Sequence, residues 1–217
     1  MWSAPCSGGA LPARVRVRLA AREDGAVDDD RNAYLDAVLI GGREPASIVV
    51  VDYDDAWPAR FEALADRVRR ALGPRVRRLE HIGSTSVPGL AAKPLIDMLL
   101  VVDDVQDEAA FVPPLEAAGF ELRVREPDHR MFRTPQRDMH LHVYATGRAE
   151  ERDYLDLRDW LRVSSDDRLL YATVKRHLAQ QQWNDMNDYA DAKTDVVLDI
   201  LTRARTWRAA SARPDEA

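Results

Sequence analysis

The stretch that decides the fold reads His81-Ile-Gly-Ser-Thr-Ser-Val-Pro-Gly-Leu-Ala-Ala-Lys-Pro-Leu-Ile-Asp97 and continues as Met98-Leu-Leu-Val-Val102. It joins a turn rich in glycine and serine to an apolar run that is typical of a buried β-strand. Asp97 lies inside that run. Because a buried carboxylate is costly without a partner, Asp97 serves either a function or an internal ion pair.

The turn offers groups that suit an anion. Gly83 and Gly89 let the backbone approach a ligand closely, the hydroxyl residues 84–86 add donors, and Lys93 adds positive charge. Lys93 is followed by Pro94 and not by Ser or Thr, so the turn is not a P-loop. The GxSxG motif of hydrolases and the GxGxxG motif of dinucleotide-binding proteins are absent as well.

With this signature, the sequence is identified as a member of the GrpB family, and the resemblance covers roughly residues 38–205. The segments that carry it are Gly41–Glu44, Ile48–Pro58, Glu80–Asp97, His140–His142, Tyr171–Lys175 and Tyr189–Lys193. The resemblance implies the nucleotidyltransferase fold. In that superfamily the Gly-Ser turn receives the nucleotide phosphates, and the next strand carries Asp-x-Asp or Asp-x-Glu to hold divalent metal.

Carried onto this sequence, the resemblance makes Gly83 and Ser84 the turn and Asp97 the first carboxylate and catalytic residue. The second carboxylate position is occupied by Leu99. Residues i and i+2 share one face of a strand, so Leu99 takes a place on the site face. One carboxylate cannot by itself form a two-metal clamp. The resemblance therefore does not imply the standard two-metal mechanism of the superfamily for this sequence.

A pair of histidines offers a different metal site. His140 and His142 alternate with apolar residues over 139–143, which predicts that both imidazoles point to one face of a strand. With Asp97 on a neighbouring strand they would form a site for Zn²⁺, Mn²⁺ or Fe²⁺. Phosphate binding or hydrogen bonds within the strand are the alternatives. The expected cofactor is a divalent metal, Mg²⁺ or Mn²⁺, with Zn²⁺ as a further option, held by Asp97, His140 and His142.

Basic side chains near these motifs suit a phosphate, either as ligands or as parts of a solvated loop. Arg130 or Arg133 can form the bidentate fork that suits phosphate, and the alternative pairs such arginines with nearby acidic residues. The resemblance adds a ligand role for Lys193. The positions expected to bind nucleotide or phosphate are His81, Gly83, Ser84, Thr85, Ser86, Lys93, Arg133 and Lys193.

Hydrophobic periodicity predicts an α+β (mixed-sheet α/β) fold with a C-terminal helical layer, and the family resemblance implies that its core is nucleotidyltransferase-like. We expect a disordered extension over 1–36, with a short strand near 14–19 as the alternative, one domain over 37–207 (core 37–148, helical part 149–207) and a disordered tail over 208–217. The expected strands are 48–51, 77–82, 95–102, 120–125 and 139–144, and the expected helices are 57–72, 111–118 and several over 149–206.

Composition limits the function classes. Hydrophobic residues make up 46% of the 217 residues, and the formal net charge is -6, which argues against general affinity for nucleic acid or anionic membranes. One cysteine, Cys6, excludes an internal disulfide. We expect a cytoplasmic protein that binds a nucleotide or another phosphorylated small molecule. Two classes stay open: a metal-dependent nucleotidyltransferase or phosphotransferase, and a nucleotide- or partner-binding module of the same fold without catalysis. The family resemblance implies a link to coenzyme A metabolism.

Overall fold

A five-stranded mixed sheet with strand order β1-β2-β5-β4-β3 forms the centre of the fold. The computed structural model describes residues 25–44, 47–183 and 185–211. The strands are β1 (Arg78–Ile82), β2 (Ile96–Val102), β3 (Glu121–Glu126), β4 (His129–Arg133) and β5 (Met139–Ala145). The pair β2–β5 is parallel, and the other three neighbouring pairs are antiparallel.

Helices cover both faces of the sheet. They are α1 (Gly25–Val38), α2 (Trp57–Leu72), α3 (Glu108–Ala117), α4 (Ala149–Val163), α5 (Ser165–Leu178), α6 (Met186–Ala192) and α7 (Thr194–Ser211). Short 3₁₀ turns lie at Gly73–Arg75 and Ser84–Ser86. No helix in the described ranges is long and apolar enough to cross a membrane.

Side-chain alternation divides the core between the two faces. Met98 and Leu100 of β2 pack with Leu141 of β5 against α2 and α3, and all three side chains are fully buried. On the other face, Leu99 packs with Ile82, Val101 and Tyr144 beneath α4. This second face also carries Asp97, His140 and His142, and we call it the site face. Helices α4 to α7 form the C-terminal layer over it.

The α+β class and the helical layer predicted from the sequence are confirmed. Helix α2 has the predicted bounds because Phe61, Ala65, Val68 and Leu72 recur on one buried face and Gly73, with a φ of 54°, ends it. Strands β1, β2, β3 and β5 agree with the prediction to within a residue or two. Four helices fill the predicted helical region.

The predicted strand at 48–51 is wrong, because only Val51 pairs. Val51 exchanges both backbone hydrogen bonds with Ala92, each at 2.9 Å. The next hydrogen-bonded pair of an antiparallel ladder would join Val49 to Pro94, and proline has no N–H to donate. In the other direction the N–H of Leu90 is bonded to the carbonyl of Val87 in the turn. The ladder therefore cannot extend.

Two further differences lie at the edges. Residues 129–133, for which a solvated loop was one of the two predictions, form strand β4. The strand is stabilised by Arg130, which is buried and paired with Glu108 of α3. Residues 25–36, predicted within a disordered extension, lie in α1. Residues 208–211 of the predicted tail lie in α7. The alternative strand near 14–19, the rest of the extension and residues 212–217 lie outside the described residues.

Candidate metal and anion site

A cavity of about 450 Å³ lies between the site face of the sheet and the C-terminal helices. Its polar wall comes from the turn after β1 and from strands β2 and β5. Its opposite wall comes from α4 to α7 and includes Tyr154, Tyr171 and Tyr189. The cavity thus combines charged groups at one side with aromatic surface at the other, as small-molecule sites commonly do.

The Gly-Ser turn is anchored from below by a buried hydrogen-bond chain. The Thr85 hydroxyl donates to the carbonyl of Leu95 at 3.1 Å and accepts from His81 Nε2 at 3.0 Å. The His81 ring stacks on Phe61 with centroids 4.8 Å apart. Burial lowers the pKa of His81 to about 4, so the ring is neutral at pH 7 and donates through Nε2. This chain holds the turn so that Ser84 faces the cavity.

Asp97, His140 and His142 converge on the site face of the sheet. The parallel register sets Asp97 beside His140 and Leu99 beside His142. Asp97 Oδ1 lies 3.5 Å from His140 Nδ1 and 4.0 Å from His142 Nε2. One ligand atom from each of the three residues lies within 4.8 Å of the others. The set is therefore close enough to hold one ion such as Zn²⁺ or Mn²⁺.

The protonation states of Asp97 and His142 suit a cation. Burial lowers the pKa of His142 to about 3, which keeps its imidazole neutral. Burial alone would raise the pKa of Asp97, but the hydrogen bond and charge of His140 outweigh it and hold that pKa below the usual range. An ionised carboxylate and neutral imidazoles are the forms that bind metal.

Lysine is rare in this chain, and all three lysines line the cavity. Lys193 Nζ lies over the Tyr189 ring at 4.4 Å, and Lys175 Nζ lies over Tyr171 at 4.5 Å while donating to the carbonyl of Ala91. Burial lowers the pKa of each lysine, to about 8 for Lys193. Among the described residues that line the cavity, Asp97 is the one carboxylate, so lysine side chains that carry a proton give the cavity the positive charge that an anionic ligand requires.

The structure brings together most of the residues singled out in the sequence. The cavity is lined by Gly83, Ser84, Thr85, Lys93, Asp97, His140, His142 and Lys193. His81 and Ser86 lie behind the turn, where the Ser86 hydroxyl donates to the carbonyl of Gly83 at 2.6 Å. Arg133 lies outside the lining, because its guanidinium forms a bidentate pair with Glu44 at 2.9 and 3.1 Å.

Sequence reasoning missed two lining residues on α4. Tyr154 and Arg158 are four residues apart and share the helix face that also carries Leu157 and Leu161. Arg158 donates to Glu80 at 2.9 Å and so ties α4 to β1. A tyrosine and an arginine at i and i+4 within an otherwise apolar face are the signal that could have marked them.

Comparisons with known proteins agree with the sequence signature. A family model described as "GrpB protein" matches residues 47–203. The chain belongs to the GrpB family. A UPF0157 protein of Streptomyces coelicolor is 54% identical over 170 residues, which cover 78% of this chain and 91% of the relative. The crystal structure of the conserved protein GrpB from Enterococcus faecalis is similar at 31% identity and a TM-score of 0.66, covering 73% of this chain and 99% of that one.

A more distant relative is longer than this chain. A dephospho-CoA kinase of Mycolicibacterium paratuberculosis is 27% identical over 257 aligned residues, which span 92% of this chain and 62% of the kinase. The GrpB-family match begins at residue 47, so helix α1 lies before it.

Proposed function

We propose that this GrpB-family protein is a metal-dependent transferase that binds a phosphorylated small molecule, such as a nucleotide, and transfers a nucleotidyl or phosphoryl group. The observation that carries the proposal is that a metal-ligand trio and the three lysines of the chain face one cavity. A divalent ion held by Asp97, His140 and His142 would polarise the transferred group.

The chain's own residues divide the remaining tasks. The Ser84 hydroxyl and the backbone N–H groups of the turn donate hydrogen bonds to the phosphate oxygens, in the manner of a concave anion site. Lys93 and Lys193 offset the phosphate charge from two sides of the cavity. Tyr171 and Tyr189 offer flat surface for the rest of the ligand and exclude water from the reacting group.

Leu99 favours a second candidate function, a binding module without catalysis. It occupies the second carboxylate position and is fully buried, so it offers no second metal ligand. The distant similarity to a dephospho-CoA kinase makes a coenzyme A precursor the ligand to test first for this module. The two candidates share the cavity and differ in the role of metal.

A thermal-shift panel separates the candidates. The full chain is heated with ATP, GTP, CTP, UTP or coenzyme A precursors, each with Mg²⁺, Mn²⁺ or Zn²⁺. A ligand at about 100 times its dissociation constant stabilises by about 2.7 kcal/mol. For a domain of this size that corresponds to roughly 5–10 °C in Tm. A shift that requires both one ligand and metal supports the transferase, and product formation from that pair establishes it.

Variants connect the shift to the site. Asp97→Asn should remove the metal-dependent part, and the double variant Ser84→Ala with Lys93→Ala should remove the ligand-dependent part. His177→Ala is the matched control, since His177 is an exposed histidine on α5 outside the cavity lining. A ligand shift that is indifferent to metal would favour the binding module, and no shift with any pair would contradict both candidates.

A further inference from the structure

A line of hydrogen bonds runs away from the cavity behind His142. His142 Nδ1 lies 3.1 Å from His129 Nε2, and His129 Nδ1 lies 2.6 Å from Glu126 Oε2. The hydroxyl of Tyr34 on α1 donates to the other oxygen of Glu126. Glu126 and His129 face each other across the tight turn between β3 and β4. Four side chains from four elements thus form one continuous chain that ends at a candidate metal ligand.

The direction of each hydrogen bond follows from the carboxylate. An ionised carboxylate only accepts, and the pKa of Glu126 is held below its usual range mainly by the hydrogen bond from His129. In its neutral form His129 then donates through Nδ1 to Glu126, and its Nε2 carries a lone pair. That lone pair accepts from His142 Nδ1–H. His142 Nε2 is then left without a proton, and it faces Asp97 Oδ1 at 4.0 Å.

We propose that Glu126 and His129 are positioning residues that fix His142 in the tautomer whose Nε2 lone pair binds the metal. This inference rests on the metal site of the proposed function. Histidines that bind metal commonly donate their other ring N–H to an acceptor, which fixes the ring and raises its basicity. Here the acceptor is a second histidine, and the carboxylate stands one residue further back. Loss of such a partner typically weakens metal binding about 10–100-fold.

The His129 ring has a second contact that a test must separate from the first. It stacks on Tyr144 with centroids 4.6 Å apart, whereas it meets His142 edge to edge through the hydrogen bond. A purely structural His129 would act through this stacking. A positioning His129 acts through the acceptor at Nε2. Two substitutions divide these properties: His129→Phe keeps a flat ring and removes the acceptor, whereas His129→Gln removes the ring and keeps a carbonyl acceptor.

The test is titration of the full-length variants with Co²⁺, followed by visible absorption and by competition with Zn²⁺. We expect His129→Phe to weaken binding about 10–100-fold and to change the Co²⁺ spectrum. His129→Gln should stay within several-fold of the parent chain. The opposite order, with His129→Phe near the parent and His129→Gln weakened, would overturn the proposal and leave His129 a packing residue. Far-UV circular dichroism of the metal-free variants checks that each is folded.

A second pair of variants keeps the test decisive if the His129 variants fail to fold. Glu126→Leu keeps the approximate size of the side chain and removes the acceptor for His129 Nδ1–H, so we expect weaker Co²⁺ binding than in the parent chain. Tyr34 is half-exposed, and Tyr34→Phe removes only the donor to Glu126, so we expect a smaller loss than for Glu126→Leu. Parent-like binding by Glu126→Leu would overturn the proposal.

The outcome for His142 distinguishes this inference from the proposed function. If the parent chain binds no Co²⁺, or if His142→Ala binds it equally well, the metal site itself is refuted. If His142→Ala loses the ion while His129→Phe and Glu126→Leu bind as the parent does, the site stands and only the positioning role fails.

Discussion

Gly83 and Asp97 lie so close together that no side chain fits between them. A Cβ added at residue 83 would lie 2.9 Å from Asp97 Cβ and 3.0 Å from Asp97 Cγ, and closer still to Oδ2. Gly83 has a φ of 69° and a ψ of -173°, a backbone region that is essentially confined to glycine. The turn proposed to bind phosphate and the carboxylate proposed to bind metal therefore share one wall.

Replacement of Gly83 by alanine should damage both stability and the site. Strain in this backbone region costs about 1–3 kcal/mol, and the collision with Asp97 adds displacement of a metal ligand. Gly89→Ala is the matched control, because Gly89 has a φ of 75° but a Cβ there would meet no atom within 4 Å. In urea unfolding we expect both variants to lose stability, and in metal titrations only Gly83→Ala to lose affinity. Equal metal affinity in both variants would contradict the prediction that a side chain at residue 83 displaces Asp97.

Much of the fold could be predicted because periodicity reports on burial. Buried residues recur every three or four positions in α2 and every second position in β5, so both elements can be predicted from the sequence. Strand β4 was not, because its site-face residues include Arg133, whose partner Glu44 lies 89 residues away in the sequence and is identified only by the fold. Polar residues satisfied by distant partners resemble residues of a solvated loop.

The buried hydroxyl of Thr85 should be the residue on which the stability of the turn depends. Thr85→Val keeps the shape but leaves His81 Nε2–H and the carbonyl of Leu95 without this partner. A buried polar group left unpaired costs about 1–3 kcal/mol. Thr85→Ser retains the hydroxyl and is the control. We expect guanidinium unfolding to show a clear loss for Val and a smaller one for Ser. A Thr85→Val variant as stable as the parent chain would show that these hydrogen bonds do not stabilise the turn.

Leu99 should not tolerate replacement by a carboxylate. Its side chain is fully buried with Ile82, Val101 and Tyr144, so Leu99→Asp places a charge among apolar groups. A buried charge without a partner costs several kcal/mol. Leu99→Asn has the same shape without the charge, and we expect it to be the more stable of the two at pH 7. Metal stoichiometry measured by elemental analysis should not exceed one ion per chain in either variant. Two ions bound by a stable Leu99→Asp would contradict this prediction.

The candidate site was only partly predictable because it is assembled across strands. The sequence shows that His140 and His142 share a face, but the register that sets His142 beside Leu99 exists only in the folded sheet. An imidazole from β5 therefore lies next to the position where a second carboxylate would stand on β2. Arg133 illustrates the opposite case. An arginine at this position suited a phosphate, yet its guanidinium is already hydrogen-bonded to Glu44.

Lys193 should lower the free energy of unfolding of the chain at neutral pH. Burial lowers its pKa from 10.5 to about 8, while the nearby charge of Asp97 opposes that shift and Lys93 adds to it. The unfolded chain therefore binds more protons than the native chain between about pH 8 and 10.5, so this lysine's penalty is largest below pH 8 and falls as pH rises. The shift corresponds to roughly 3 kcal/mol, and residual solvent exposure reduces the expected penalty to about 1–2 kcal/mol.

Lys193→Met should therefore unfold at higher urea than the parent chain at pH 7, and this advantage should shrink by pH 10 while affinity for phosphorylated ligands falls. Lys193→Arg is the matched control. Arginine keeps its charge across this range, so its stability deficit relative to Lys193→Met should persist at pH 10. If Lys193→Met is instead less stable at pH 7, the lysine has a favourable partner in the folded chain and is not an unpaired cation kept for an anionic ligand.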